Sequence, residues 1–210
     1  MLKFSASPRF LHSGDGNDLI LYLGPMGIHT TIIVVKPLGD KELNTTEILK
    51  GFQVPAAVDQ EDLDFQNTLD RLWNRSSIGD MAATTYKGKI IFVDDAHYID
   101  IETIQPFTAA YPAEVLRVDH SDTVEAGEFS FWVDGALVRK ATSGMEQWMD
   151  DLEEMGITDK DILSSCEPVD IGAPLEFEKE SSHPMDVLAM YALDYFDFYT
   201  LRWTVFRIIR

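Results

Sequence analysis

The chain has 210 residues, of which 45% are apolar and 11% aromatic, with 36 acidic against 17 basic side chains and a formal charge of −19. That apolar content suffices for a packed core and argues against intrinsic disorder. The charge works against DNA or RNA backbones and anionic lipids, where released counterions supply much of the affinity, so neither nucleic acid nor membrane is an expected partner.

No run of about 18 apolar residues is present, so no membrane-spanning helix is predicted. The stretch MLKFSASPRFLHSG lacks the apolar block of a signal peptide. Cys166 is the single cysteine. It permits no internal disulfide, so a cytoplasmic location is expected. Its surroundings, LSSCEP, hold no base to activate the thiol.

Taken in order, Gly14-Asp15-Gly16-Asn17-Asp18 reads as a turn. Calcium needs six to eight oxygens, and toxin-type calcium repeats need tandem copies, whereas this run occurs once. Asp18 to Leu23 and Thr30 to Lys36 read as strands, the second rich in β-branched residues. His29 is assigned to that strand. Asn44 with Glu47 predicts a capped short helix ending at Gly51. From Glu61 to Arg75, Phe65, Leu69, Leu72 and Trp73 recur at helical spacing, with Asp59 near the start.

Ala82 to Tyr86 and Lys89 to Val93 read as paired strands across Lys87-Gly88. Ile101, Ile104, Phe107 and Tyr111 predict a helix, in which Pro106 costs a hydrogen bond. Glu114 to Val118 follows as a strand. Strand, helix and strand in succession predict a right-handed parallel crossover. Phe129 to Ala141 reads as a hairpin, because both central residues of a tight turn need positive φ and Asp134-Gly135 tolerates it. Phe129, Phe131 and Val133 share one predicted face, and Ser130 and Trp132 the other.

Ser143 and Glu146 form a capping-box pattern. Met145, Trp148, Met149, Leu152 and Met155 then lie along one helical face, and a second short helix starts at Thr158. His183-Pro184 opens a helix expected to be buried nearly all round. Leu201 to Ile209 reads as a strand whose alternation breaks at Phe206-Arg207, where a bulge or the sheet's end is expected. About seven strands and five helices result: a single α+β domain over residues 1–210 around one mixed sheet, or alternatively a three-layer α/β sandwich.

The charge is uneven. Glu146 to Glu180 holds 12 acidic residues and two lysines, a net of −10 in 35 residues. The segment 145–165 reads as an acidic helical insertion. Asp150, Asp151, Glu153 and Glu154 are the candidate contacts to a basic protein partner, with Arg202, Arg207 and Arg210 as an internal alternative for pairing with this lobe. Solubility alone is the plainer explanation of such acidity, and a Met/Trp stripe most often faces the core, although methionine faces also adapt to partners.

One cluster has catalytic chemistry in it. Asp94, Asp95 and His97 follow one predicted strand, and Asp119, His120 and Asp122 another. Parallel neighbouring strands would bring both groups to one sheet edge, where open sheets bind ligands. Asp95 and His120 are the candidate acid and base. Asp94, Asp95, His97 and His120 are the candidate metal ligands. Against this, Asp and His also serve as ordinary caps and turn residues, and no tight ligand spacing is present, so no cofactor is expected. Phosphate-binding loops and the G-x-S-x-G elbow are absent.

Glu128 to Ala141 (EFSFWVDGALVRKA) and Asp170 to Glu178 (DIGAPLEFE), followed by His183-Pro184, carry a likeness. The chain resembles a group of uncharacterised, mostly actinobacterial, bacterial proteins in which a W-x-D-G-x-L-V-R hairpin precedes a G-x-P-L-x-F-E segment and a helix. The likeness covers the C-terminal third. The chain departs from it by the acidic insertion and the final strand. The resemblance implies a bacterial cytoplasmic origin and transfers no functional residue, since the group has no assigned activity. Within these motifs Arg139 is placed to pair with Glu178 if their segments adjoin, as a structural pair.

Three readings of function follow: a non-catalytic protein-binding module of the inhibitor or immunity type, a metal-dependent hydrolase near Asp94/Asp95 and His120, or a stand-alone scaffold or oligomer subunit whose terminal strand pairs between chains.

Overall fold

A computed structural model describes residues 29–39, 44–73, 80–94, 97–121, 126–154, 167–178, 181, 183–192 and 195–209. The strands are β1 (His29–Pro37), β2 (Ala56–Leu63), β3 (Asp80–Tyr86), β4 (Lys89–Val93), β5 (Ala113–Ser121), β6 (Ala126–Val133), β7 (Ala136–Ser143), β8 (Asp170–Ile171) and β9 (Trp203–Ile208). The helices are α1 (Thr45–Gly51), α2 (Phe65–Trp73), α3 (Ile101–Ala110), α4 (Met145–Glu154) and α5 (Pro184–Tyr191), with 3-10 turns at Glu176–Glu178 and Tyr195–Thr200. The expected strand at Asp18 to Leu23, the calcium-like run before it and the helix from Thr158 lie outside the described residues, as do Asp95, Asp122, Cys166 and Arg210.

The class is α+β, with one sheet in the order β2-β9-β3-β4-β1-β5-β6-β7-β8. The sheet has nine strands instead of seven and is antiparallel at every described pairing instead of mixed. β4 and β5 do run in the same direction, but β1 lies between them and pairs with both: Ile32 sits opposite Val93 on one side and Val118 on the other. The β4-α3-β5 unit therefore spans an intervening strand.

Helices cover both faces, so the layering is that of the three-layer alternative. On one face Ile33, Val35, Phe92, Val115 and Trp132 meet Ile48 and Phe52 below α1 and Ile104 and Phe107 of α3. On the other, Val34, Ile91, Leu116, Phe129, Phe131 and Trp203 meet Leu72 of α2, Val187, Leu188 and Tyr191 of α5, and Phe198. Burial on both faces explains why TTIIVVK is a continuous apolar run.

Local signals position these elements. Asn44 and Glu47 form the expected reciprocal cap of α1. Pro184 occupies the first turn of α5. Asp134 and Gly135 adopt φ of 49° and 79° in the β6-β7 hairpin, and Phe129 and Phe131 face away from Trp132 as predicted. A side chain at Gly135 would meet the Ala109 Cβ at 2.8 Å, so this turn is also where the hairpin abuts α3.

Three boundaries differ from expectation. Residues 56–63 form β2, and α2 begins only at Phe65, after Asp64, whose carboxylate accepts the Asn67 N–H at 2.8 Å. α5 stops at Tyr191 and exposes Met190, so it is buried along one side only. In β9, Val205 and Phe206 simply serve opposite faces. The irregularities of this pair lie on β2, between Val58 and Leu63.

Candidate functional site

β4 and β5 end at the same end of the sheet, and β1 starts between them. Thr31 of β1 stands opposite Asp119 of β5. The Thr31 hydroxyl, wholly buried, donates to Asp119 Oδ1, and His97 Nδ1 lies 2.8 Å from the same hydroxyl oxygen. Arg117 reaches Asp119 Oδ2 at 2.7 Å and Oδ1 at 3.0 Å, and lies 3.7 Å from Glu128, which Lys140 holds at 2.9 Å. Alternation on β1, β5, β6 and β7 places this row on the face covered by α1 and α3. Burial pushes the Asp119 carboxyl upward, while Arg117 and Thr31 pull it down.

Asp94, Asp119 and His97 thus come to one sheet end, but in different roles. Asp94 is wholly buried, and its Oδ2 accepts the Ile99 N–H at 2.7 Å, tying down the loop that leads into α3. His120 faces the other way. Adjacent residues of a strand point to opposite faces, so Asp119 and His120 cannot share one pocket. The His120 ring instead meets that of His183 edge-on, with centroids 5.3 Å apart. Among the described residues, no group of three or more His, Cys, Asp or Glu is placed to hold a metal ion.

Thr31 and Arg117 are the members of this site that sequence reasoning missed. The available signal was Arg117 and Asp119 two apart on one strand, hence on one face.

The Asp94 role has a measurable consequence. Asp94→Ala leaves the buried Ile99 N–H without its acceptor, which is expected to cost about 1–3 kcal/mol. Asp94→Asn keeps a carboxamide oxygen there and should retain most of the stability. Urea denaturation of the two variants checks this, and equal losses in both would assign Asp94 an ionic role.

The acidic helix has a different character. Glu146, Asp150 and Glu154, each four residues from the next, are exposed on α4, while Met145 and Met149 are half-buried. The side chains of Trp148, Asp151, Leu152 and Glu153 lie outside the described set, as do residues 155–166. Several sheet carboxylates are matched: Asp59 by Arg71 and Arg207, Asp62 by Arg202, Glu114 by Lys36, Asp119 by Arg117, Glu128 by Lys140. Arg202 and Arg207 therefore pair with β2, not with the acidic lobe. No described basic residue forms an ion pair with Glu146, Asp150 or Glu154.

The hairpin of β6 and β7 and the segment Asp170 to Glu178 meet. Arg139 Nε bonds both Glu178 oxygens at 2.9 and 3.1 Å, and Nη2 reaches Oε1 at 2.5 Å. Nη1 donates to the Ile171 and Gly172 carbonyls at 3.1 Å each and to the exposed Asp170 carboxylate. Gly172, at φ 84°, passes so close to Val138 that a Cβ would collide with its carbonyl. The W-x-D-G-x-L-V-R and G-x-P-L-x-F-E segments are thus two halves of one buried clasp. No family model, curated protein or solved structure matches the chain.

Proposed function

We propose that this chain is a non-catalytic cytoplasmic protein-binding module whose acidic surface, centred on α4, engages a basic protein, as an inhibitor or immunity-type protein does. The observation that carries the reading is the segregation of charge. On the strands Asp59, Asp62, Asp80, Glu114, Asp119 and Glu128 each have a cation, whereas Glu146, Asp150 and Glu154 on α4 have none among the described residues. Like charges four apart on a helix repel by roughly 0.2–0.5 kcal/mol per pair, and Glu154 stands at the negative end of the helix dipole. A cationic partner offsets both costs and meets a surface that speeds encounter. Among the described residues no helix is long and apolar enough to cross a membrane.

The alternative, a metal-dependent hydrolase, has the meeting of His97 and Asp119 in its favour. Against it, Arg117 occupies the carboxylate that a cation would need, and His120 lies across the sheet.

The test compares the wild type with Glu146→Lys/Asp150→Lys/Glu154→Lys as bait in cell extract, at low salt and at about 0.5 M, where the Debye length falls to a few ångströms. Retention of a basic protein by the wild type, weakened at least about tenfold by salt and by the triple variant, is expected. Identical, salt-insensitive capture by both baits overturns the reading.

A further inference from the structure

The order of the sheet leaves β2 at one end, and among the described residues no strand pairs with its outer edge. The register with β9 states which backbone groups that edge presents. Ala56, Ala57 and Val58 stand opposite Ile208, Arg207 and Phe206, and one step earlier the Ile209 N–H donates to the Pro55 carbonyl at 2.7 Å. Hydrogen-bonded and non-hydrogen-bonded pairs alternate along an antiparallel ladder, so Ala57 turns its N–H and C=O toward β9, whereas Ala56 and Val58 turn theirs outward. Beyond Val58 the register shifts twice and Asp62 sits at φ 61°, so the regular edge is short. Such irregularity limits indiscriminate pairing of edges and leaves a bracket of two residues.

Val58 is 51% exposed, an apolar side chain in a strand whose following positions are acidic or polar. It shares a face of the sheet with Phe206, and both line an open cavity of about 450 Å3 between β2, β9 and α1. Thr204, Glu47, Lys50 and Glu61 line it too. Of the acids on β2, Asp59 is matched by Arg71 and Arg207 and Asp62 by Arg202, whereas Glu61 has no ion pair among the described residues. The cavity thus combines an apolar floor with two carboxylates and one ammonium.

We infer that β2 is a docking edge for an extended, basic peptide segment of a partner protein, which joins the sheet as a further antiparallel strand. Main-chain bonds to Ala56 and Val58 hold the segment, and the cavity beside Val58 selects its side chains. The residue opposite Val58 exchanges two hydrogen bonds with it and shares its face, so an apolar side chain fits there. Two positions earlier in the segment, on the same face and toward Glu61, a Lys or Arg fits. Glu47, Glu61 and the chain's charge of −19 repel an acidic segment. The inference does not rest on the acidic face of α4: β2 and β7, which leads into α4, stand toward opposite ends of the sheet order.

The probe is the peptide acetyl-Lys-Thr-Val-Thr-Val-amide, its first valine set opposite Val58, added to the nitrogen-15-labelled full chain. The Ala56 and Val58 N–H groups should exchange readily in the free protein and at least about tenfold more slowly at saturating peptide, because both enter a ladder. The same peptide N-methylated at its first valine cannot donate to the Val58 carbonyl and should bind at least about fivefold more weakly. Val58→Ser should weaken binding at least about threefold through lost apolar contact, and Glu61→Lys about two- to fourfold through charge. At about 0.15 M salt, where the Debye length is about 8 Å, Glu146→Lys/Asp150→Lys/Glu154→Lys should stay within about twofold of the wild type, which separates this edge from the α4 surface. Unchanged resonances of the β6-β7 hairpin serve as the check that each variant is folded.

No protection of the Ala56 and Val58 amides at about 2 mM peptide overturns the inference. Equal affinity for the N-methylated peptide also overturns it, since binding then needs charge and no ladder. So does protection of these two amides in the free chain that grows with protein concentration, because the edge then pairs with a second copy.

Discussion

Arg139→Ala is expected to lower the unfolding free energy by about 3–5 kcal/mol, the range for leaving a buried charge without its partner. In a chain of this size that moves the melting temperature by roughly 10 °C. Arg139 and Glu178 are both 97% buried as side chains. Truncating the arginine strands the Glu178 carboxylate, removes the donor from two backbone carbonyls, and leaves Gly172 backed against β7 with nothing drawing it in. Arg139→Lys should also lose stability, since an ammonium cannot fork across a carboxylate and two carbonyls at once. Arg139→Met/Glu178→Leu should recover part of the loss, because removing both charges removes the desolvation cost with them. Thermal melts at pH 7 decide the matter. A loss under about 1 kcal/mol for Arg139→Ala would mean that the clasp is solvated.

The same pair fixes an acid limb. Hydrogen bonds from Arg139 hold the Glu178 carboxyl below its ordinary value of 4.5. A depressed carboxylate contributes its full stabilisation above the unfolded-state pKa and loses it as pH falls through the folded-state value. The contribution is therefore present at neutral pH and disappears below about pH 4.5. In Arg139→Met/Glu178→Leu this part of the stability-versus-pH curve should flatten.

What the sequence made legible follows from which physical signals are local. Asp134-Gly135, Lys87-Gly88, the Asn44 cap and Pro184 act through neighbouring backbone, and each fell where expected. β1 and β4 announced themselves through apolar, β-branched runs. β2 did not, because Ala56 to Leu63 is an edge strand exposed along most of its length. With no buried face there is no alternation to read, and its acids look like the start of the following helix. β8, two residues long, is held by the Arg139 clasp and has no pattern of its own. The crossover itself was legible, since β4 and β5 run in the same direction across α3, but their being neighbours was not. Nothing within residues 89–118 states that β1 will insert between the two strands that α3 connects.

The candidate site was legible to the same extent. The sequence located its sheet end, since both strands finish in acids and histidines. It ended the strand at Val118, so it could not say that β5 runs on to Ser121 and that the pleat sends His120 to the opposite face from Asp119. Nor could it say that one oxygen of Asp94 would hold the Ile99 N–H. The Arg139–Glu178 pairing was anticipated because both partners sit in motifs whose glycines and proline fix the chain path. Arg117 was missed because the strand was expected to stop at Val118, which hid that Arg117 and Asp119 share one face; Thr31 was missed because it meets Asp119 from 88 positions away.

Deleting residues 201–210 is expected to abolish the folded state, not to change an oligomer. A terminal strand free to join two copies would have to lie at a sheet edge. β9 instead lies between β2 and β3 and pairs with both, Trp203 to Phe206 spanning the registers with Leu63, Ala83 and Met81. Trp203 is wholly buried, stacks on Phe198 at 5.9 Å and lies 5.5 Å from Phe65. Removing the segment takes Val205 and Phe206 out of the two core layers at once and leaves β2 with no partner. Trp203→Ala alone should cost about 3–5 kcal/mol, the usual loss for a buried aromatic reduced to a methyl. The deletion adds the loss of two hydrogen-bond ladders, and the total is comparable to the whole stability of an average domain. Far-UV circular dichroism and amide dispersion should therefore show an unfolded chain for the deletion and a folded but weakened one for Trp203→Ala. A deletion variant that keeps its dispersion and elutes at a smaller size would mean that this strand pairs between chains, and the sheet order given above would have to be redrawn.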